Sequence, residues 1–424
     1  MRLRLLIGGS PCTRWSIAQT KNRETKAEGI GWELLLNYRI ARDKYKPDYF
    51  LYENNKSMSP AIRERITEEL GVEPVLINSA LVSAQNRQRL YWVGRRNPDG
   101  TYSQVAVEQP VDRGILLRDI LESGAVTWHE KAYTLRASAA TKQGVSNVLR
   151  HIETNGHFGY MGVVEPVNMT ADGKAQCLRA TYYKDGIRNM VGNTIDRKTC
   201  VAEPVRIGTI GSKAKNTDFD SQQYRVYSPD AKSVTLCGNG GGLGAKTGLY
   251  AVPVISDGKG QFAIKAAGGK EIPVYEVRGG RITIKGKTYP IKLADGFYII
   301  RKLTVAECRR LQTVPDSYVF PVSDTQAYKM LGNGWTVDVI VHLLSHFEGL
   351  TEGPVEVLSM YDGMSCGHIA LDKLGVYVSA YYATEIDKYA IETTQHNYPD
   401  TVQLGDAFQV RAEDWALPRK EENL

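Results

Sequence analysis

A short, mostly apolar run, residues 3–7 (LRLLI), breaks into Gly8, Gly9, Ser10 and Pro11 and then presents a thiol, Cys12. Such a run, closed by turn residues, reads as a buried strand. A strand that ends in glycines and delivers a nucleophile-capable side chain is how many α/β enzymes hold a reactive group at the carboxyl edge of a sheet. Gly-Ser-Pro is equally ordinary turn chemistry, and a free cysteine is more often a small buried apolar group than a nucleophile. On this stretch alone both readings stand.

The next hundred or so residues supply a sheet for that strand. In GWELLLNYRIARDKY (31–45), Trp32, Leu35, Leu36 and Ile40 recur at helical spacing. Lys46-Pro47 ends the helix, because the residue before proline resists the α region. Residues 49–52 read as a strand that runs into Glu53-Asn54-Asn55, and Ser59-Pro60 offers an N-cap and first-turn proline for a helix stopping at Gly71. Residues 75–82 and 89–93 read as two further strands. Strand, helix, strand, helix, strand is the rhythm of a parallel sheet covered by helices.

From about residue 128 that rhythm is lost and a weak repeat takes its place. KAYTLRAS (131–138), KAQCLRAT (174–181) and KSVTLCGN (232–239) are each followed by a Gly- or Asn-rich loop, and the units close on EPV (165–167), EPV (203–205) and VPV (252–254). Spacings of 43 and 58 residues are too irregular for a solenoid and predict duplicated strand-and-loop units on one β-rich platform. Gly279-Gly280, Gly286-Lys287 and Asp295-Gly296 read as hairpin turns. Charge concentrates here too. Residues 128–300 hold 24 Lys+Arg against 14 Asp+Glu, a net of +10, whereas the remainder hold 29 against 33, a net of −4. A polyanionic partner for the middle of the chain is one reading, and a solvated basic face is the other.

Helical periodicity returns in LTVAECRRLQTV (303–314) and AYKMLGNGWTVDVIVHLLSHF (327–347). After a linker, 347–354, an apolar strand VEVLSMY meets Asp362-Gly363-Met364-Ser365-Cys366-Gly367 and opens a helix, which puts backbone amides at a helix N-terminus. Glu385 ends the next predicted strand, 22 residues after Gly363, where ribose hydroxyls are usually caught. Asp406 ends a third, where an adenine amino group could be held. The fingerprint GxGxxG is absent, which argues against a dinucleotide.

With 424 residues, 42% hydrophobic and 24% charged, two or three soluble domains are expected. No apolar run approaches the roughly 18 residues of a membrane span, and the N-terminal run is too short for a signal peptide, so a cytoplasmic location is expected. Cys12, Cys177, Cys200, Cys237, Cys308 and Cys366 show neither CxxC pairing nor metal-ligand spacing, which points to reduced thiols.

Together GGSPC, YENN, QNRQR, LTVAECRRLQ, LGNGWTVDVI, SMYDGMSCG, ATEID and LGDAF resemble the DNA cytosine-5 methyltransferases over nearly the whole catalytic portion. The resemblance implies an α/β fold, a Rossmann-like S-adenosylmethionine-dependent methyltransferase sheet with an inserted β-rich target-recognition domain. Residues 1–127 and 301–424 would be the two parts of the catalytic domain, and 128–300 the recognition domain. In the family the methyl-donor motifs come first, whereas here SMYDG, ATEID and LGDAF follow LGNGW. The chain therefore looks like a circular permutant, opened between the third donor motif and the catalytic strand.

By the same resemblance Cys12 is the nucleophile that adds to C6 of a flipped cytosine, Glu53 hydrogen-bonds N3, and Arg87 and Arg89 orient the base and that carboxylate. Pro11, Asn333, Tyr361, Asp362, Gly363, Gly367, Glu385, Ile386, Asp406 and Ala407 match the S-adenosylmethionine site. Tyr361 stands where the family usually has Phe against the adenine, and Ile386 is placed on the adenine's other face. Arg136, Arg179 and the loops around 238–244 are candidates for contact with double-stranded DNA. A tRNA cytosine-5 methyltransferase and a catalytically silent DNA-binding homologue are the alternatives. The large insert favours duplex DNA, and intact Cys12, Glu53, Arg87 and Arg89 favour catalysis. No metal is implied, a monomer is expected, and a cognate restriction endonuclease is the further partner expected.

Overall fold

Residues 3–7 do form a strand, and it sits in the middle of a sheet. In the computed structural model β1 (Leu3–Gly8) carries Leu5, Leu6 and Ile7, all fully buried. Successive side chains of a strand point to opposite faces, so Leu5 and Ile7 enter one apolar core and Leu6 enters another. The structure describes residues 2–11, 14–16, 23–121, 205–210, 225–228, 233–234, 249–254, 264–265, 271–272, 274–284, 287–290, 295–301 and 303–418. Cys12, Arg136, Arg179, the 238–244 loops and the first two repeats lie outside the described residues.

The local signals that follow β1 are obeyed. Helix α1 (Ile30–Tyr45) ends at Lys46, which turns left-handed (φ 52°) before Pro47. Strand β2 (Tyr49–Asn55) is buried along its length. Helix α2 (Pro60–Leu70) is capped by Ser59, whose hydroxyl accepts the Ile62 N–H at 3.3 Å, and stops at left-handed Gly71. Strand β3 (Pro74–Asn78) is shorter than the sequence suggests. The Asn78 Oδ1 accepts the N–H groups of Ala80 (3.1 Å) and Arg87 (3.0 Å), which diverts the chain into a tight turn at Ser79–Leu81. Strand β4 (Gln88–Arg96) then returns antiparallel to both β2 and β3, and β5 (Tyr102–Gln104) pairs with its outer end. The sheet is therefore mixed, not wholly parallel as expected.

The middle of the chain forms a second sheet from β6 (Arg206–Thr209), β7 (Arg225–Tyr227), β8 (Leu249–Val254), β11 (Val274–Arg278), β12 (Arg281–Ile284), β13 (Lys287–Pro290) and β14 (Gly296–Arg301), in the order β13-β12-β11-β14-β8-β7-β6. A separate pair consists of β9 (Ile264–Lys265) and β10 (Glu271–Ile272). Gly279 and Gly280 both adopt positive φ in the β11–β12 hairpin, as a tight two-residue turn demands. The start of the third repeat is stitched to the first sheet's connection. Ser233 N donates to the Ala84 carbonyl (2.5 Å) and Asn86 N to the Ser233 carbonyl (2.9 Å), directly beside Arg87.

Helices α3 (Val305–Leu311), α4 (Asp324–Asn333) and α5 (Val337–Leu344) lead to β15 (Val355–Met360), α6 (Cys366–Lys373), β16 (Val378–Thr384), α7 (Lys388–Asn397) and β17 (Val402–Gly405). The first sheet runs β17-β16-β15-β1-β2-β4-β3, and its first five strands are parallel. Leu3 pairs with Val355 and each following residue with the next, through Gly8 with Met360. The chain's first strand thus lies between its second and one from the last seventy residues. Helices α1 and α2 cover one face, and α5 and α6 cover the other. Gly367 makes the second packing close: a Cβ there would lie 2.1 Å from Ile7 Cδ1. Among the described residues no helix is long and apolar enough to cross a membrane.

Candidate active site

The carboxyl ends of β1, β2 and β15 converge, and a buried carboxylate stands among them. Glu53, next to last but one in β2, is 8% exposed. Arg89 Nε, across the β2–β4 pair, lies 3.0 Å from its Oε1, and Trp335 Nε1 donates to its Oε2 at 3.0 Å. Gly9 passes directly over this arrangement, since a Cβ there would lie 2.9 Å from Glu53 Oε2 and 3.4 Å from Trp335 Nε1. One step on, Ser10 Oγ and Tyr52 OH are 2.6 Å apart, and Asn54 Nδ2 donates to the Ser10 carbonyl at 3.2 Å. This network fixes the chain up to exposed Pro11, the residue before Cys12.

Arg87 and Arg89 do different things. Whereas Arg89 faces Glu53, the Arg87 guanidinium donates to the carbonyls of Gly332 (3.2 Å) and Gly334 (2.9 Å). Buried Gln312 grips the same turn, with Nε2 on the carbonyls of Leu331 (2.5 Å) and Gly334 (3.2 Å) and Oε1 accepting the Thr336 hydroxyl (2.9 Å). Asn333 sits exposed at the end of α4 between these anchored carbonyls.

The donor-motif residues gather at the ends of β15, β16 and β17. Glu385 is fixed by backbone: its Oε2 accepts the Gly363 N–H (2.8 Å), and its Oε1 accepts those of Ile386 and Asp387 (2.8 Å each). Gly363 adopts φ 60° with open space where a Cβ would be. Ile386 is 74% exposed beside this carboxylate. Asp406 is exposed and caps the turn beginning at buried Ala407, accepting the Phe408 N–H at 2.9 Å. Two of the matched residues face inward. Tyr361 adopts φ 61° and its hydroxyl donates to the Leu34 carbonyl on α1 (2.7 Å). The Asp362 carboxylate accepts hydroxyls from Ser359 (2.6 Å), Tyr381 (2.8 Å) and Ser365. Gly367 packs on Ile7, as described above.

Burial pushes the Asp362 carboxyl up to about 6, although three hydroxyls stabilise its anion. In the unfolded chain an aspartate titrates near 3.9, so the native state holds this proton more tightly. Stability should therefore fall as pH rises from about 4 to about 6 and level off beyond. The difference in urea unfolding free energy between wild type and Asp362→Asn should change by up to about 3 kcal/mol across that window. A difference that stays flat from pH 4 to 7 would show that the carboxyl titrates as it does in the unfolded chain. Burial also pushes the Cys366 thiol up to about 12, so this cysteine is not an ionised nucleophile.

A family profile described as C-5 cytosine-specific DNA methylase matches residues 2–348. The chain belongs to that family. It is 28% identical over 154 residues to the type II methyltransferase M.HhaI of Haemophilus parahaemolyticus, which covers 36% of this chain and 31% of that one. It is 58% identical over 41 residues to the type II methyltransferase M.HpaII of Haemophilus parainfluenzae, covering 10% and 12%. Against the orphan methyltransferase M.SPRI of Bacillus phage SPR it is 23% identical over 393 residues, covering 79% of this chain and 80% of that one. The chain thus spans less than a third of M.HhaI and about four-fifths of M.SPRI.

Reasoning from the sequence missed Trp335, Gln312 and the Ser10–Tyr52–Asn54 network. All lie within or beside the phrases that carry the family resemblance, LGNGW, LTVAECRRLQ, GGSPC and YENN.

Proposed function

We propose that this chain methylates C5 of cytosine in a specific double-stranded DNA sequence, using S-adenosylmethionine. The observation that carries this reading is Glu53, a buried strand-end carboxylate held by Arg89 and Trp335 under the Gly9 segment that leads to Cys12. C5 of free cytosine is a poor nucleophile. Addition of the Cys12 thiolate to C6, with Glu53 supporting a proton on N3, turns C5 into an enamine-like carbon. Bound S-adenosylmethionine supplies the electrophilic methyl group. Removal of the C5 proton then lets the thiolate leave and restores the aromatic ring.

The residues at the donor end suit an adenosine. Glu385 is fixed by three backbone N–H groups, exposed Ile386 offers an apolar face, and Asp406 presents an acceptor. Gly363 leaves room for close approach of a ligand. Residues 1–127 with 301–424 act as the catalytic domain, and the basic 128–300 region reads the DNA. The order of the motifs, with the donor strands after LGNGW, is that of a circular permutant. The protein works as a monomer in a bacterial or phage-infected cytoplasm, beside a cognate restriction endonuclease.

Duplex DNA carrying 5-fluorocytosine tests the mechanism, because fluorine at C5 cannot leave as a proton. With S-adenosylmethionine present, wild type should form an adduct that survives denaturing electrophoresis, and Cys12→Ser should form none. No adduct from wild type, or an equal one from Cys12→Ser, overturns the assignment. Adducts formed on tRNA in preference to duplex DNA would transfer the activity to the RNA substrate.

A further inference from the structure

The turn that follows α4 touches both halves of the site. The indole N–H of Trp335 donates to Glu53 Oε2 at 3.0 Å, and the neighbouring Gly334 packs on Cys366, at the start of the helix that follows the donor turn: a Cβ on Gly334 would lie 3.1 Å from Cys366 Sγ. The turn itself is held on both sides, by Arg87 on the Gly332 and Gly334 carbonyls and by Gln312 on the Leu331 and Gly334 carbonyls. Gly9 closes the arrangement from above, with no room for a side chain between it, Glu53 Oε2 and Trp335 Nε1.

Arg89 and Trp335 divide the Glu53 carboxylate between them, an ion pair on one oxygen and an N–H donor on the other. Two partners from different elements fix both the position and the rotation of a carboxylate, which one partner cannot do. The Arg89 contact comes from the neighbouring strand. The Trp335 contact comes from a turn tied to the donor-motif helix.

We infer that Trp335 is a positioning residue that sets the rotation of Glu53 through its indole N–H and so couples the donor-motif helix to the cytosine-binding carboxylate. This rests on Glu53 having the role proposed above. Trp335 acts through Glu53, so its effect should appear in the rate of the chemical step and vanish when Glu53 is already disabled.

The test uses Trp335→Phe in the full-length protein, alone and combined with Glu53→Gln. Phenylalanine keeps an aromatic ring in this half-buried place and removes the N–H donor together with part of the indole's bulk, which is why the combination with Glu53→Gln is needed. Single-turnover methylation of duplex DNA, covalent trapping on 5-fluorocytosine DNA and the Kd for S-adenosylmethionine are measured for all four proteins. Trp335→Phe should slow methylation and trapping at least tenfold and change the Kd for S-adenosylmethionine less than twofold. In the Glu53→Gln background it should slow trapping less than twofold further.

Wild-type rates in Trp335→Phe overturn the positioning role, and so does a full additional loss on top of Glu53→Gln, the result expected of a merely structural residue. A loss that appears in the Kd instead makes Trp335 a contact of S-adenosylmethionine and overturns it as well. A wild-type protein that neither methylates nor traps DNA overturns the proposed function itself, and the positioning role with it.

Discussion

Glu53→Gln should lower the single-turnover rate of cytosine methylation by about two to four orders of magnitude, the range in which removal of a general acid–base group falls. Glutamine has nearly the same shape, so it does not collide with Gly9, where an added Cβ would lie 2.9 Å from Oε2. What changes is chemistry. An amide cannot support the N3 proton as a carboxyl does, and it has one acceptor oxygen and no charge where Glu53 now meets the Arg89 guanidinium on one oxygen and the Trp335 N–H on the other. One of those two partners must face the amide NH2 instead. Far-UV circular dichroism and the Kd for S-adenosylmethionine should stay as in wild type, because Gly363, Glu385 and Asp406 lie at the ends of other strands. A rate within about threefold of wild type would remove Glu53 from the reaction altogether.

Where a feature depends on residues adjacent in sequence, it could be read without the structure. Ser59-Pro60 and Gly71 bound α2, and Lys46-Pro47 ends α1, because capping and proline sterics act within a few residues. The direction of β4 was legible too, though unread: only nine residues separate Asn78 from Gln88, and a parallel crossover needs about a dozen or more. The contact between Trp335 and Glu53, 282 residues apart, has no local signal. It exists only because β1, β2 and the turn after α4 meet at one sheet edge. Gly367 shows the converse difficulty. In sequence it looks like part of a ligand-binding turn, and in the fold it lets α6 pack against Ile7. A glycine needed for helix–strand packing and one needed for a ligand leave the same mark in a sequence.

Reordering the chain so that residues 352–418 precede residues 2–351, with a short joining peptide from Pro418 to Arg2, should preserve both fold and methyl transfer. Tyr382 of β16 marks the meeting place. Its hydroxyl donates to the Pro418 carbonyl at 2.9 Å, and the charge of Arg2 acts on the same phenol. Arg2 is in turn 2.7 Å from Glu356 on the neighbouring β15. The new opening, between exposed Thr351 and Glu352, lies in a surface connection and cuts no strand pairing. Deleting residues 355–418 should have the opposite result. It strips β15, β16 and β17 from β1, leaving Leu5, Leu6 and Ile7 at an open sheet edge. Val355, Val357, Leu358, Met360, Ile369 and Leu371, all buried, go with the deleted segment. At roughly 1.5–3 kcal/mol for each large apolar side chain, the loss is as large as the ~5–15 kcal/mol that holds a domain folded. The reordered protein should unfold at a urea midpoint close to wild type and methylate duplex DNA within about threefold of the wild-type rate, while the truncated protein should show no cooperative transition. A reordered chain that fails to fold would count against the permuted arrangement, because a sheet indifferent to the order of its strands in the chain has no reason to reject it.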